Sequence, residues 1–110
     1  MSTRRPWVAG EVVFNLTIGK FKGHVELFRG NYYLHCDEFP KTKKAIREFC
    51  SLIDRCKKEL TEFYGIREIR VRTCSDSDMY IQRLLKYENF VLYYAHDKLL
   101  IYRLLWDSQQ

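Results

Sequence analysis

Apolar and polar residues alternate with period two through EVVFNLTI (11–18). This sets Val12, Phe14, Leu16 and Ile18 on one side of a predicted strand and Glu11, Val13, Asn15 and Thr17 on the other. GKFKG follows with two turn glycines, Gly19 and Gly23. HVELF reads as a second strand, and the turn signal RGN leads into a third, YYLHC. From Pro40 the period lengthens. Ile46, Phe49, Ile53, Cys56, Leu60 and Phe63 recur every three or four residues with charged residues between them, the pattern of an amphipathic helix. Pro40 near its start and Gly65 just past its end are the usual helix punctuation. IREIRVR then returns to period two, with Ile69 and Val71 on one side and Glu68, Arg70 and Arg72 on the other. Ser75, Asp76 and Ser77 offer N-caps for a short helix over 78–87 whose apolar face is Ile81, Leu84 and Leu85. FVLYY and LLIYRLLW, joined by AHDK, complete the chain as a hairpin.

The predicted order is β-β-β-α-β-α-β-β, an α+β fold. A strand, a crossover helix and another strand place one parallel pair at the centre of an otherwise antiparallel sheet, with two helices packed on it. The chain has 110 residues, 46% of them hydrophobic, which is enough for one cored domain. We expect an arm over 1–10, a domain over 11–107 and a short tail over 108–110. No apolar run approaches the roughly 20 residues of a membrane span, and MSTRRPWVAG lacks the apolar centre of a secretory signal, so a cytoplasmic protein is expected. Cys36, Cys50, Cys56 and Cys74 form no CxxC pair, so reduced, packed thiols are expected.

Charge sharpens this picture. The whole formal excess of +5 falls in residues 41–72, which carry ten Lys and Arg against five acids. A basic face formed there suits an acidic protein, a phosphate or a nucleic acid. Lys41, Lys43 and Lys44, at the start of the long helix, are candidate anion ligands, although solvated lysines there are the plainer reading. Arg70 and Arg72 share a strand face and extend the basic surface, with Tyr64 near enough in sequence to stack on a base. No aromatic pair of the RNA-recognition type accompanies them. His35, Cys36 and Cys74 end neighbouring strands but lack ligand spacing, so no metal is expected. Tyr93, Tyr94, Tyr102 and Trp106 crowd the terminal hairpin. If that hairpin is the sheet's edge, its apolar faces serve a partner or a second copy, or else are buried beneath Trp7 and the arm.

From the second strand onward the order resembles the GNAT family of N-acetyltransferases, most locally over Asp78–Phe90. The family often has there an Asn, a small residue, a Tyr and a Gly-Phe pair; here stand Asp78, Ile81, Leu85, Asn89 and Phe90. The lysine- and arginine-rich long helix, the short strand, the Leu85–Lys86 step and the terminal hairpin are also similar to small acetyltransferase-like and internal virion proteins of tailed phages. That likeness implies a phage-encoded protein, cytoplasmic in the host or virion-associated.

The resemblance implies an acyl-CoA site at EFPKTKKAI, with Lys41, Lys43 and Lys44 as its phosphate ligands. Yet this loop has no glycine to let backbone N–H groups approach a pyrophosphate. The family's proton-donating tyrosine falls on Leu85, and Tyr80 and Tyr87 project toward other faces of the same helix. The segment before the first strand is too short for the family's first strand and first two helices. The leading expectation is therefore a non-catalytic, acetyltransferase-like module that binds protein through its hairpin or basic helix, without a cofactor. The alternatives are a reduced acetyl-CoA-dependent N-acetyltransferase and a basic nucleic-acid-binding module.

Overall fold

The computed structural model describes residues 7–36, 42–76 and 79–107. Pro40, Lys41, Ser77 and Asp78 lie outside them, and so do the positions where the helix entry and one cap were expected. Among the described residues six strands form one sheet: β1 (Glu11–Ile18), β2 (Phe21–Phe28), β3 (Asn31–Cys36), β4 (Glu68–Cys74), β5 (Val91–His96) and β6 (Leu99–Leu105). Their order across the sheet is β1-β2-β3-β4-β6-β5. The pair β3–β4 is parallel and every other neighbour is antiparallel. This is the expected α+β arrangement, with α1 (Lys43–Glu59) as the crossover between the parallel strands and α2 (Met79–Tyr87) between β4 and the closing hairpin. Among the described residues no helix is long and apolar enough to cross a membrane.

Both helices pack on one face of the sheet. Leu16, Val25, Leu34, Ile69, Val71, Tyr102 and Leu104 from the strands meet Phe49, Leu52, Ile53, Cys56, Leu60, Leu84 and Leu85 from the helical segments in a single core. Each fully buried Leu, Ile or Phe here removes enough apolar surface to contribute about 1.5–3 kcal/mol. Thr42 caps α1 from extended backbone, its Oγ1 accepting from the Ala45 N–H at 3.1 Å. A π-helical turn over Leu60–Tyr64 ends the crossover. Gly65 then takes a left-handed conformation (φ 65°) that a side chain would strain, and the Ile66 N–H donates to the Leu60 carbonyl.

Three expectations from periodicity need correction. Phe63 was placed on the buried stripe but is 71% exposed. The wider π turn adds a residue to the rotation, so the stripe ends at Leu60, and Tyr64 instead stacks on Phe14 with ring centroids 5.6 Å apart. Val12 is exposed because the register with β2 shifts between Val12 and Phe14. The terminal hairpin is not an edge as a whole: β6 lies inside the sheet between β4 and β5 and buries Tyr102 and Leu104, so of the two hairpin strands β5 alone stands at an edge.

Candidate functional site

The helix-free face of the sheet is where the unusual chemistry gathers. Alternation along the strands puts His24, Glu26 and Phe28 of β2, Tyr33 and His35 of β3, Arg70 and Arg72 of β4 and Arg103 of β6 on that face. Glu26 reaches across β3 to Arg72, Oε1 to guanidinium nitrogen at 2.9 Å, with side-chain exposures of only 4% and 6%. The His24 Nε2–H donates to Glu26 Oε2 at 2.6 Å and the Gly10 N–H to Oε1 at 2.9 Å. Burial pushes the Glu26 carboxyl up, but the His24 and Gly10 hydrogen bonds and the Arg72 charge outweigh it and hold its pKa below the ordinary value.

Arg72 also anchors the arm. It donates to the Val8 carbonyl at 3.1 Å, and its guanidinium lies 4.1 Å from the Tyr33 ring centroid, 5.5 Å from that of Trp7 and 5.6 Å from that of Phe28. A side chain at Gly10 would stand 2.6 Å from the Leu27 carbonyl oxygen, so glycine lets the arm lie this close to β2. Trp7 thus covers Arg72 on β4, and the alternative of a hairpin buried beneath Trp7 is not what this contact provides.

On the other half of the face, Arg70 and Arg103 are direct partners across β4 and β6. Like charges set opposite one another repel, and two features offset this. Arg70 Nε donates to Glu68 at 2.7 Å, and the Tyr93 ring receives both guanidiniums, at 4.6 Å from Arg70 and 4.5 Å from Arg103. Tyr94 is re-aimed by a bulge. Val91 pairs with Arg103 and Leu92 with Tyr102, so alternation sets Tyr93 on the helix-free face, and the irregularity before Tyr94, which pairs with Ile101, turns Tyr94 to that face as well.

β5 itself is exposed at all six positions. Val91, Leu92, Tyr93 and Tyr94 are 45–68% exposed, and among the described residues no strand lies on the outer side of β5. The expected contact residues therefore separate. Tyr93 and Tyr94 stand at the surface, whereas Tyr102 is core and takes no part in an exposed patch. Trp106 is half-buried with its Nε1–H donating to Thr61 at 2.8 Å. Arg70 and Arg72 are held by Glu68 and Glu26.

The other candidate positions are dispersed. Lys43 and Lys44 are exposed on the first turn of α1, and Lys41 lies outside the described residues. The Thr42 cap already accepts from one helix N-terminal donor that an anion would use. Leu85 is fully buried. Cys36 belongs to the core, whereas the His35 ring lies tilted against that of His24 on the opposite face, centroids 4.9 Å apart, and Cys74 follows Arg72 along β4 by two residues. Cys50 of α1 donates to Glu88, just past α2, at 3.1 Å. A groove of about 320 Å³ lies at the N-terminal ends of β3 and β4, lined by Gly30, Asn31, Gly65, Arg67, Glu68 and Leu105, and neither Lys43 nor Lys44 lines it. Periodicity missed Glu26 as a partner of Arg72. The available signal was an acid on the polar side of HVELF, facing the same way as the arginines of IREIRVR.

No family model and no curated protein sequence matches the chain. A solved structure described as a "putative acetyltransferase" from Sphaerobacter thermophilus DSM 20745 is similar to it at 14% identity and a TM-score of 0.48. The similarity covers 77% of this chain, which spans 60% of that protein's chain.

Proposed function

We propose that the chain is a non-catalytic, acetyltransferase-like module that binds another protein chain along the edge of β5. One observation carries this reading: β5 presents four consecutive apolar residues at 45–68% exposure on an edge that ends the sheet. Such an edge offers unpaired backbone donors and acceptors together with apolar side chains, the two ingredients of strand addition. Supporting it, Leu85 stands in the core where the resemblance puts a proton donor, and EFPKTKKAI has no glycine. Arg70 and Arg72 already neutralise carboxylates, which reduces what they offer a nucleic-acid backbone. The likeness to small phage proteins fits a role in binding a host factor or in virion assembly.

Calorimetric titration with acetyl-CoA tests the reading. The expected result is no micromolar binding and no thiol release in the presence of amine acceptors. Micromolar binding that disappears when Lys43 and Lys44 are both changed to Glu would overturn it in favour of a reduced acetyltransferase.

A further inference from the structure

The composition of β5 narrows the kind of chain that fits it. VLYYAH contains no Lys, Arg, Asp, Glu or Pro, the residues that usually guard an edge strand, and its bulge acts on the β6 side of the pairing. The opposite edge differs: β1 exposes Glu11, Asn15 and Thr17. A strand that pairs with its own copy about a two-fold axis sets each residue against itself or a close neighbour. Any formal charge on it would then meet the same charge. A neutral strand meets that requirement, whereas selecting an acidic or basic segment calls for charge along the edge.

We infer that the chain occupying the β5 edge is a second copy of this protein, with the two β5 strands antiparallel and the two sheets joined into one. This rests on the protein-binding reading above and names its partner. The charge pattern also selects edge pairing over face stacking. Stacking two helix-free faces would press the neighbouring Arg70 and Arg103 guanidiniums of one copy toward those of the other. Edge pairing keeps the two arginine groups apart. It brings Tyr93 and Tyr94 of both copies together on one face, where alternation sets the first and the bulge the second, and Leu92 of both copies together on the other. Aromatic rings gathered in this way add to the area they bury.

Sedimentation equilibrium and concentration-dependent hydrogen exchange test the inference on the full chain. The expected mass is twice 13.4 kDa. The outward amides of β5 should slow as concentration rises while those of β1 do not change. Leu92→Lys and Tyr94→Lys, both at exposed positions, should raise the dimer dissociation constant by more than about tenfold while circular dichroism and melting stay those of a folded monomer. Thr17→Lys on β1 should leave it unchanged. A 13.4 kDa species at every concentration overturns the inference. So does a dimer that persists in both lysine variants. An acetyl-CoA titration on the same sample separates the two failures: a monomer that ignores acetyl-CoA removes only the second copy, whereas one that binds and turns it over removes the protein-binding reading itself.

Discussion

Glu26 and Arg72 face each other across an intervening strand, 2.9 Å apart, with both side chains almost entirely removed from water. Deleting either partner leaves a buried charge without its counter-ion, which costs about 3–5 kcal/mol, whereas replacing both by apolar residues of similar volume is often close to neutral. Glu26→Met or Arg72→Met alone should therefore be strongly destabilising in urea unfolding. The double variant should lose much less than the sum of the two. The Arg72 change should also free the arm, because Arg72 holds both the Val8 carbonyl and the Trp7 ring. In a Trp106→Phe background, Trp7 emission should shift to the red in Arg72→Met.

The same cluster fixes the sign of an acid response. Burial raises the Glu26 pKa, but the His24 and Gly10 hydrogen bonds and the Arg72 charge leave it below 4.5 in the folded chain. A depressed folded pKa means that the carboxylate contributes its full stability above the unfolded value. That contribution is lost as pH falls through the folded value. Stability from this group should hold from neutral pH down to about 4.5 and decline below it. Urea unfolding at stepped pH should show a shallower acid decline in Glu26→Gln, from a lower starting stability. An equal slope in both proteins would mean that other carboxylates control acid unfolding.

How much of this was legible in the chain can be traced residue by residue. Ile69 and Val71 against Arg70 and Arg72, and the stripe Phe49, Ile53, Cys56 and Leu60, emerge from local periods, because one face of each element is buried. Phe63 and Val12 escaped because a π turn and a bulge each change the residue count, and nothing local marks either. Tyr102 escaped for a different reason. The last strand in sequence enters the sheet between β4 and β5, and strand order is set by long-range pairing. The Glu26–Arg72 pair belongs to the same class, since its members are 46 residues apart.

Leu85, where the resemblance puts a proton-donating tyrosine, gives a direct test of the non-catalytic reading we propose. It is fully buried among Leu84, Phe90 and the rest of the core, where packing density leaves no room for a larger ring. Leu85→Tyr should overpack the site and cost about 1–3 kcal/mol, while Leu85→Ala should cost about 2–5 kcal/mol through the cavity it leaves. Neither should release thiol from acetyl-CoA. Turnover by the tyrosine variant, followed with a thiol reagent, would show that a proton donor was the missing part of a working site.

The thiols should be unreactive in the folded protein, for reasons that differ by position. Burial, with smaller contributions from Cys36 and Glu59, pushes Cys56 up to about 12. Cys50 is pushed up to about 11, first by burial and then by the Glu88 carboxylate, which accepts its S–H and so favours the protonated form. Because the thiolate is the nucleophile, both should react slowly with a disulfide reagent near neutral pH. The two are distinguishable by one substitution. Glu88→Gln removes the negative charge beside Cys50 and nothing beside Cys56, so alkylation read by mass spectrometry at each cysteine should speed up at Cys50 alone. Unfolding in guanidinium should bring Cys36, Cys50, Cys56 and Cys74 to similar rates, because the burial that separates them is then gone.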